Sequence, residues 1–269
     1  ANIGLLSALG QRNNCIIYDE LIHASIKDAL RLSFSKFLSF KHNNTSDLEI
    51  KLKKTTGNKI VIIEGIYSMD GDEPPLNEIY EICKNNDTLL IIDEAHSTGT
   101  IGKKGIGLVA TKLKNTNNII RIHTFGKAIG VCGAIVLGSN MLRNYLVNYA
   151  RTFIYTTALP PYVIANIYAA YITLEKSDRL IDKLNDNISL FKSIIKQQNN
   201  SNSPIQPIFF DNHNKMIAIS KKLQSEGFAI QPIMPPTVPP SKERIRITIH
   251  SFNNHDEISL LCNYLNNFN

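Results

Sequence analysis

Two apolar runs, Ile60-Val61-Ile62-Ile63 and Leu89-Leu90-Ile91-Ile92, constrain this chain more than any other feature. Both are nearly unbroken, and the first is rich in β-branched residues, the mark of a buried strand. Each ends in an acid, Glu64 after the first and Asp93 after the second. A strand that is apolar throughout has no wet face and must be covered on both sides. Between the two runs, Leu76 to Cys83 returns at helical period. Further apolar runs stand at Cys15 to Asp19, Phe37 to Phe40, Ile119 to Ile122 and Ala134 to Leu137. Helical patterns separate them: His23 to Leu32, with Ile22, Ile26, Ala29 and Leu30 on one face, and a helix opened by Ser46 and Asp47. The alternation predicts an α/β fold with a mostly parallel sheet between two helical layers. Ligands of such sheets sit at the carboxyl ends of the strands, so Glu64, Asp93 and Thr124, which all follow apolar runs, are expected to converge there.

The pattern changes further along. One long helix is expected over Asn140 to Phe153, then a break at Pro160-Pro161, then helices over Tyr162 to Leu174 and Arg179 to Lys196. Gln197 to Pro204 has the composition of a surface loop. Strands at Ile205 to Phe210, Ala229 to Gln231 and Arg244 to His250 then mix with helices at Asn214 to Glu226 and Asp256 to Phe268. This predicts a large domain over 1–177 and a smaller α+β domain over 178–269, with no internal repeat. The opening, Ala1 to Leu6, reads as helix from the middle of a domain, so a natural beginning is expected to be missing.

Composition narrows the function. The net charge of +6 comes mostly from scattered lysines, without a long basic block or an aromatic RNA-binding signature, so neither nucleic acid nor a membrane is expected as partner. No apolar run approaches the roughly 20 residues that span a bilayer. Cys15, Cys83, Cys132 and Cys262 have no metal-binding spacing. They are expected to be buried, reduced thiols of a cytoplasmic protein, and no metal is expected.

The chemistry gathers around Lys127, in His123-Thr124-Phe125-Gly126-Lys127-Ala128. A P-loop is excluded: position 121 is Arg rather than Gly, and Ala128 carries no hydroxyl for magnesium. An amine flanked by Thr124 and Gly126, downstream of an acid (Asp93) and an imidazole (His96), is instead what pyridoxal phosphate (PLP) requires. The amine forms a Schiff base, the carboxylate keeps the pyridine nitrogen protonated, and the imidazole bonds the ring oxygen. Asp93 can instead simply cap the next helix, and His96 can be a structural histidine; His23 can lay its ring on the cofactor or simply start a helix. Ser68 can offer a hydroxyl or simply belong to a turn.

With these residues stand Glu64-Gly65-Ile66-Tyr67-Ser68-Met69-Asp70-Gly71-Asp72, Asp93-Glu94-Ala95-His96-Ser97-Thr98-Gly99, Ile154-Tyr155-Thr156-Thr157-Ala158-Leu159-Pro160-Pro161, Pro235-Pro236-Thr237-Val238-Pro239 and Arg244-Ile245-Arg246-Ile247-Thr248. In this order the segments closely resemble the α-oxoamine synthases, a PLP family of fold type I, over the whole chain. The resemblance implies that Lys127 carries the cofactor, that Asp93 and His96 meet its ring nitrogen and hydroxyl, and that His23 stacks on the ring and borders the substrate. It implies cofactor contacts from Ser68 and Thr124, and from Thr156 or Thr157 to the phosphate in the neighbouring subunit of a homodimer. It gives Arg246 the substrate carboxylate and Thr237 a substrate contact, and leaves the role of Glu64 open. The implied reaction is an acyl transfer: decarboxylative condensation of L-alanine with a pimeloyl thioester, on acyl carrier protein or coenzyme A, in biotin synthesis. A sister activity joins glycine to acetyl-CoA, and an inactive scaffold subunit is the non-enzymatic alternative. The family also has an earlier segment with a substrate-binding arginine and a Gly-aromatic loop. Without it the chain is expected to be incomplete as a catalyst.

Overall fold

The computed structural model describes residues 1–116, 118–197 and 199–268. It divides into two compact units, one of residues 1–67 and 73–176, the other of residues 68–72 and 177–269.

The first unit holds a six-stranded sheet in the order β2-β1-β3-β4-β5-β6. Its strands are β1 (Asn14–Asp19), β2 (Lys36–Phe40), β3 (Asn58–Glu64), β4 (Leu89–Asp93), β5 (Ile119–Thr124) and β6 (Ala134–Leu137). All neighbours run parallel except β5 and β6, which are antiparallel. Successive side chains of a strand point to opposite faces. Ile60 and Ile62 therefore join Ile91, Ile120 and Ile122 beneath α1 (Asn2–Leu9) and α2 (Ala24–Arg31). Val61 and Ile63 join Leu90 and Ile92 beneath α3 (Thr45–Lys53), α4 (Leu76–Asn85) and α5 (Leu108–Lys112). This double cover explains why these strands carry no polar alternation.

Several elements depart from the sequence expectation. The start of α3 is capped by Asn44, whose side chain accepts the Asp47 N–H at 2.8 Å; Asp47 lies in the first turn, and its carboxylate accepts the Lys41 N–H at 2.8 Å. The expected long helix is two, α6 (Asn140–Tyr149) and α7 (Arg151–Ile154). Ala150, with ψ of 93°, turns the chain between them and is buried, although α6 itself buries no residue. The turn lets Thr152 approach α1 at Gly4, where any Cβ would collide with the threonine. The 3-10 turn Lys103–Gly105 and the helix α5 had no sequence signal. Helix α8 (Pro161–Glu175) completes the unit. Cys15, Cys83 and Cys262 are buried and unbonded, whereas Cys132 is exposed.

The second unit holds an antiparallel sheet in the order β7-β9-β8, made of Ile205–Phe209, Arg244–Thr248 and Pro232–Ile233. With α9 (Asp178–Ile194), α10 (His213–Ser225) and α11 (His255–Phe268) it encloses a core that includes Phe191, Ile208, Met216, Leu223, Ile245 and Cys262. The third strand lies at Pro232–Ile233, not at Ala229 to Gln231. The Ile230 carbonyl is taken by Ser220 Oγ at 3.2 Å and Gln224 Nε2 at 2.7 Å, which leaves it no place in a ladder. The expected surface loop at Gln197 to Pro204 is in part interior, apart from Gln198, which lies outside the described residues. Ser201, Ser203 and Pro204 are buried, and Ser201 Oγ donates to the Gly71 carbonyl at 2.9 Å. Arg244 is buried in an ion pair with Asp70.

Among the described residues, no helix is long and apolar enough to cross a membrane, and no cluster of three or more His, Cys, Asp or Glu side chains could hold a metal.

Candidate active site

The strand order changes direction between β1 and β3, and that switch point is where open parallel sheets take ligands. Register puts Glu64 beside Asp93, and Asp93 beside Ile122. Stepping two residues along each strand carries Glu64, Asp93 and Thr124 onto the α1–α2 face of the sheet. His23 lies just beyond β1 as the N-cap of α2, its Nδ1 accepting the Ser25 N–H at 3.2 Å.

Lys127 lies in the turn after β5, with Nζ 2.8 Å from His96 Nε2 in the turn after β4. An ammonium has only donors, so a protonated Lys127 requires Nε2 of His96 to be the acceptor. The two turns meet closely: at Gly99, with φ of +80°, a Cβ would stand 2.7 Å from Ala128 Cβ. Asp93, 5% exposed, receives the Ala95 N–H on Oδ1 at 3.0 Å and the Asn2 amide on Oδ2 at 3.0 Å. The first bond is local turn chemistry; the second comes from α1 and had no sequence signal. Asn2 Nδ2 also lies 2.9 Å from Ser25 Oγ, which lies 2.8 Å from His23 Nδ1.

Glu64 is buried beside these groups. Desolvation, and after it the charge of Asp93, pushes its carboxyl from 4.5 up to about 8, while the His23 backbone N–H and Lys127 pull the other way. Its Oε1 and the Thr124 hydroxyl are buried without a hydrogen-bond partner among the described residues. Space is open beside Gly126 and Gly130, where a Cβ would meet nothing within 4 Å. An amine beside an imidazole, a buried carboxylate, an orphaned hydroxyl and open backbone all fit an aldehyde-bearing pyridine ring with a polar substituent.

The next residue after Asp93 faces the other way. Glu94, fully buried, takes Arg121 and His123 on Oε2, the latter at 3.2 Å, and the Ser97 hydroxyl and Val109 N–H on Oε1, each at 3.0 Å. Burial alone would raise its carboxyl; the His123 bond, the Arg121 charge and the Val109 amide together hold it below the usual range. Gly107, with φ of +91°, permits this approach, since a Cβ there would stand 2.6 Å from Glu94 Oε1. The sequence clue was the spacing of Arg121 and His123, two apart on β5.

Two further expected site residues lie between α7 and α8, and three belong to the second unit. Thr156 and Thr157 are exposed between α7 and α8, and neither makes a side-chain hydrogen bond among the described residues. Ser68, Thr237 and Arg246 belong to the second unit. Thr237 is exposed, and the guanidinium of Arg246, half-buried in β9, has neither hydrogen bond nor ion pair among the described residues.

Residues 1–265 match the class I and II aminotransferases. An 8-amino-7-oxononanoate synthase from Marinobacter nauticus is 37% identical over 270 residues, which are 98% of this chain and 68% of that protein. The chain belongs to the class I and II aminotransferase family, in its α-oxoamine synthase branch. The solved 8-amino-7-oxononanoate synthase of Francisella tularensis superposes on this chain with a TM-score of 0.87 at 30% identity, over 99% of this chain and 78% of that one. A serine palmitoyltransferase variant from S. paucimobilis, with a PLP–myriocin aldimine bound, does so with a TM-score of 0.92 at 25% identity, over 99% of this chain and 69% of that one. The branch is PLP-dependent and of fold type I, and its members are acyltransferases that join amino acids to acyl thioesters.

Proposed function

We propose that this protein condenses L-alanine with a pimeloyl thioester, on acyl carrier protein or coenzyme A, with loss of carbon dioxide, to make 8-amino-7-oxononanoate for biotin. The observation that carries the reading is the 2.8 Å contact between Lys127 Nζ and His96 Nε2, on the rim that also holds Asp93. Its identity with the Marinobacter enzyme favours alanine and pimeloyl thioester over glycine and acetyl-CoA.

PLP, when bound, supplies an aldehyde for the amine and a protonated ring that withdraws electrons from the amino-acid α-carbon. Lys127 Nζ is the anchoring atom. Asp93 would pair with the ring nitrogen and favour its protonated form. His96, beside Nζ, would bond the ring hydroxyl, and His23 would offer a flat face to the ring and border the substrate. The orphaned Thr124 hydroxyl gains a polar partner. Once alanine displaces it, Lys127 Nζ is the base that takes the α-proton. The carbon so freed would attack the thioester carbonyl with departure of the thiol, and the alanine carboxylate would then leave as carbon dioxide with a proton taking its place. Ser68 is assigned to the cofactor, and Thr237 and Arg246 to the substrate, by residue match. Arg246 suits a carboxylate, because a half-buried guanidinium without a partner seeks an anion.

A second copy of the chain is the proposed partner. Helices α6 and α7 bury no residue, and Met141 (82% exposed), Phe153, Tyr155, Tyr162 and Tyr168 are large exposed side chains on α6 to α8 and the segment that carries Thr156 and Thr157. Either threonine then serves the neighbour's phosphate site. A cytoplasmic location accords with four unbonded cysteines.

The test is turnover by the full-length protein of alanine against glycine, each with pimeloyl and acetyl thioesters. Preference for alanine with pimeloyl thioester supports the reading. Preference for glycine with acetyl-CoA assigns the sister activity, and no turnover with any pair indicates a scaffold.

A further inference from the structure

We propose that Asn2 and Ser25 form a directional hydrogen-bond chain that positions both His23 and Asp93, holding His23 as its Nε2–H tautomer. The inference deepens the functional reading above and rests on it for the roles of His23 and Asp93.

The direction follows from donors and acceptors alone. Asp93 Oδ2, as a carboxylate oxygen, can only accept, so the Asn2 atom 3.0 Å away must be the amide nitrogen. That fixes the amide and leaves Oδ1 buried without a partner, so flipping the group would set oxygen against oxygen at Asp93. The second hydrogen of Nδ2 goes to Ser25 Oγ, 2.9 Å away, which thereby accepts. The Ser25 hydroxyl keeps one hydrogen, and His23 Nδ1 lies 2.8 Å from it. His23 Nδ1 also faces the Ser25 backbone N–H at 3.2 Å, which can only donate. Two donors on one ring nitrogen require that nitrogen to be bare, and the proton of a neutral imidazole then sits on Nε2.

The parts come from separate elements: Asn2 from α1, Ser25 and His23 from the start of α2, Asp93 from the end of β4. The aromatic face and the carboxylate assigned to one ring are thus linked through two side chains with no other role in the proposed chemistry. Both are positioning residues. Asn2 aims Oδ2 of Asp93, and Ser25 sets the plane and proton of His23.

The test has two arms on the full-length protein. In the first, 15N NMR of histidine-labelled protein without cofactor reads the His23 tautomer, the resonance being assigned by its loss in His23→Phe. A bare Nδ1 and protonated Nε2 are expected, with mixed tautomers in Ser25→Ala and recovery in Ser25→Thr. A protonated Nδ1 in the unaltered protein overturns the chain without any variant. In the second, PLP binding is titrated by absorbance. Asn2→Asp keeps the size but replaces the donor with an acceptor, so binding is expected to weaken by roughly tenfold or more. Unchanged binding contradicts the positioning of Asp93. Failure of the functional reading looks different: the unaltered protein then binds no PLP, while the tautomer still reports on the chain.

Discussion

Glu64 and Asp93 lie side by side as register partners at the carboxyl ends of β3 and β4, two carboxyl groups on one buried rim. The rim suits a positively charged ring nitrogen, but without one it is costly. That cost appears in Glu64, which burial and then Asp93 push up to about 8 from 4.5. In the window between those values the folded state holds a proton that the unfolded state has lost. Stability from this group is therefore complete below about pH 4.5, falls as pH rises, and levels off above about 8, at roughly 1 kcal/mol per pH unit at most. Glu64→Gln should remove this decline. Urea melts of the cofactor-free protein at about pH 5 and about pH 9 check it, and a variant that declines as steeply as the parent contradicts it.

Glu94 is expected to matter for folding rather than chemistry. Glu94→Ala leaves Arg121 without its partner in a buried setting, and should cost about 3–5 kcal/mol. A denaturation midpoint close to that of the parent would show that the cluster is dispensable.

Asp93→Asn keeps the shape of the rim but removes its charge. Some cofactor should remain bound, while carbanion formation slows by roughly ten- to hundredfold. An unchanged rate of α-proton exchange from alanine in heavy water argues against the electron-withdrawing role assigned to the protonated ring.

The exposed face of α6 to α8 should be covered in solution. Light scattering on the full-length protein is expected to give twice the chain mass. Replacing Phe153 and Tyr155 by charged residues should shift it toward monomer, and a monomeric parent removes the partner from the account.

The sheet was legible because runs such as Ile60 to Ile63 satisfy two helical layers at once. The meeting of Lys127 and His96 was legible because each follows the end of one of two neighbouring parallel strands, β5 and β4. The rest depended on contacts that spacing does not encode. The break at Ala150 reflects the close approach of Thr152 to Gly4, and the displaced strand at Pro232 reflects the capture of the Ile230 carbonyl by α10. Asn2 gave no signal, because an asparagine in a helical pattern looks alike whether it faces water or a carboxylate. Ser201 looked like a surface residue for the same reason: its buried hydrogen bonds are invisible in a Ser- and Asn-rich string.

The central claim is that one amine and one carboxylate of the first unit hold opposite parts of the same flat heterocycle. Absorbance of the full-length protein after addition of PLP and removal of the excess tests it most directly, with Lys127→Ala alongside. The account predicts a retained yellow band in the parent, bleached by borohydride, and no such band in Lys127→Ala. An equal band in both proteins, or none in the parent, contradicts it.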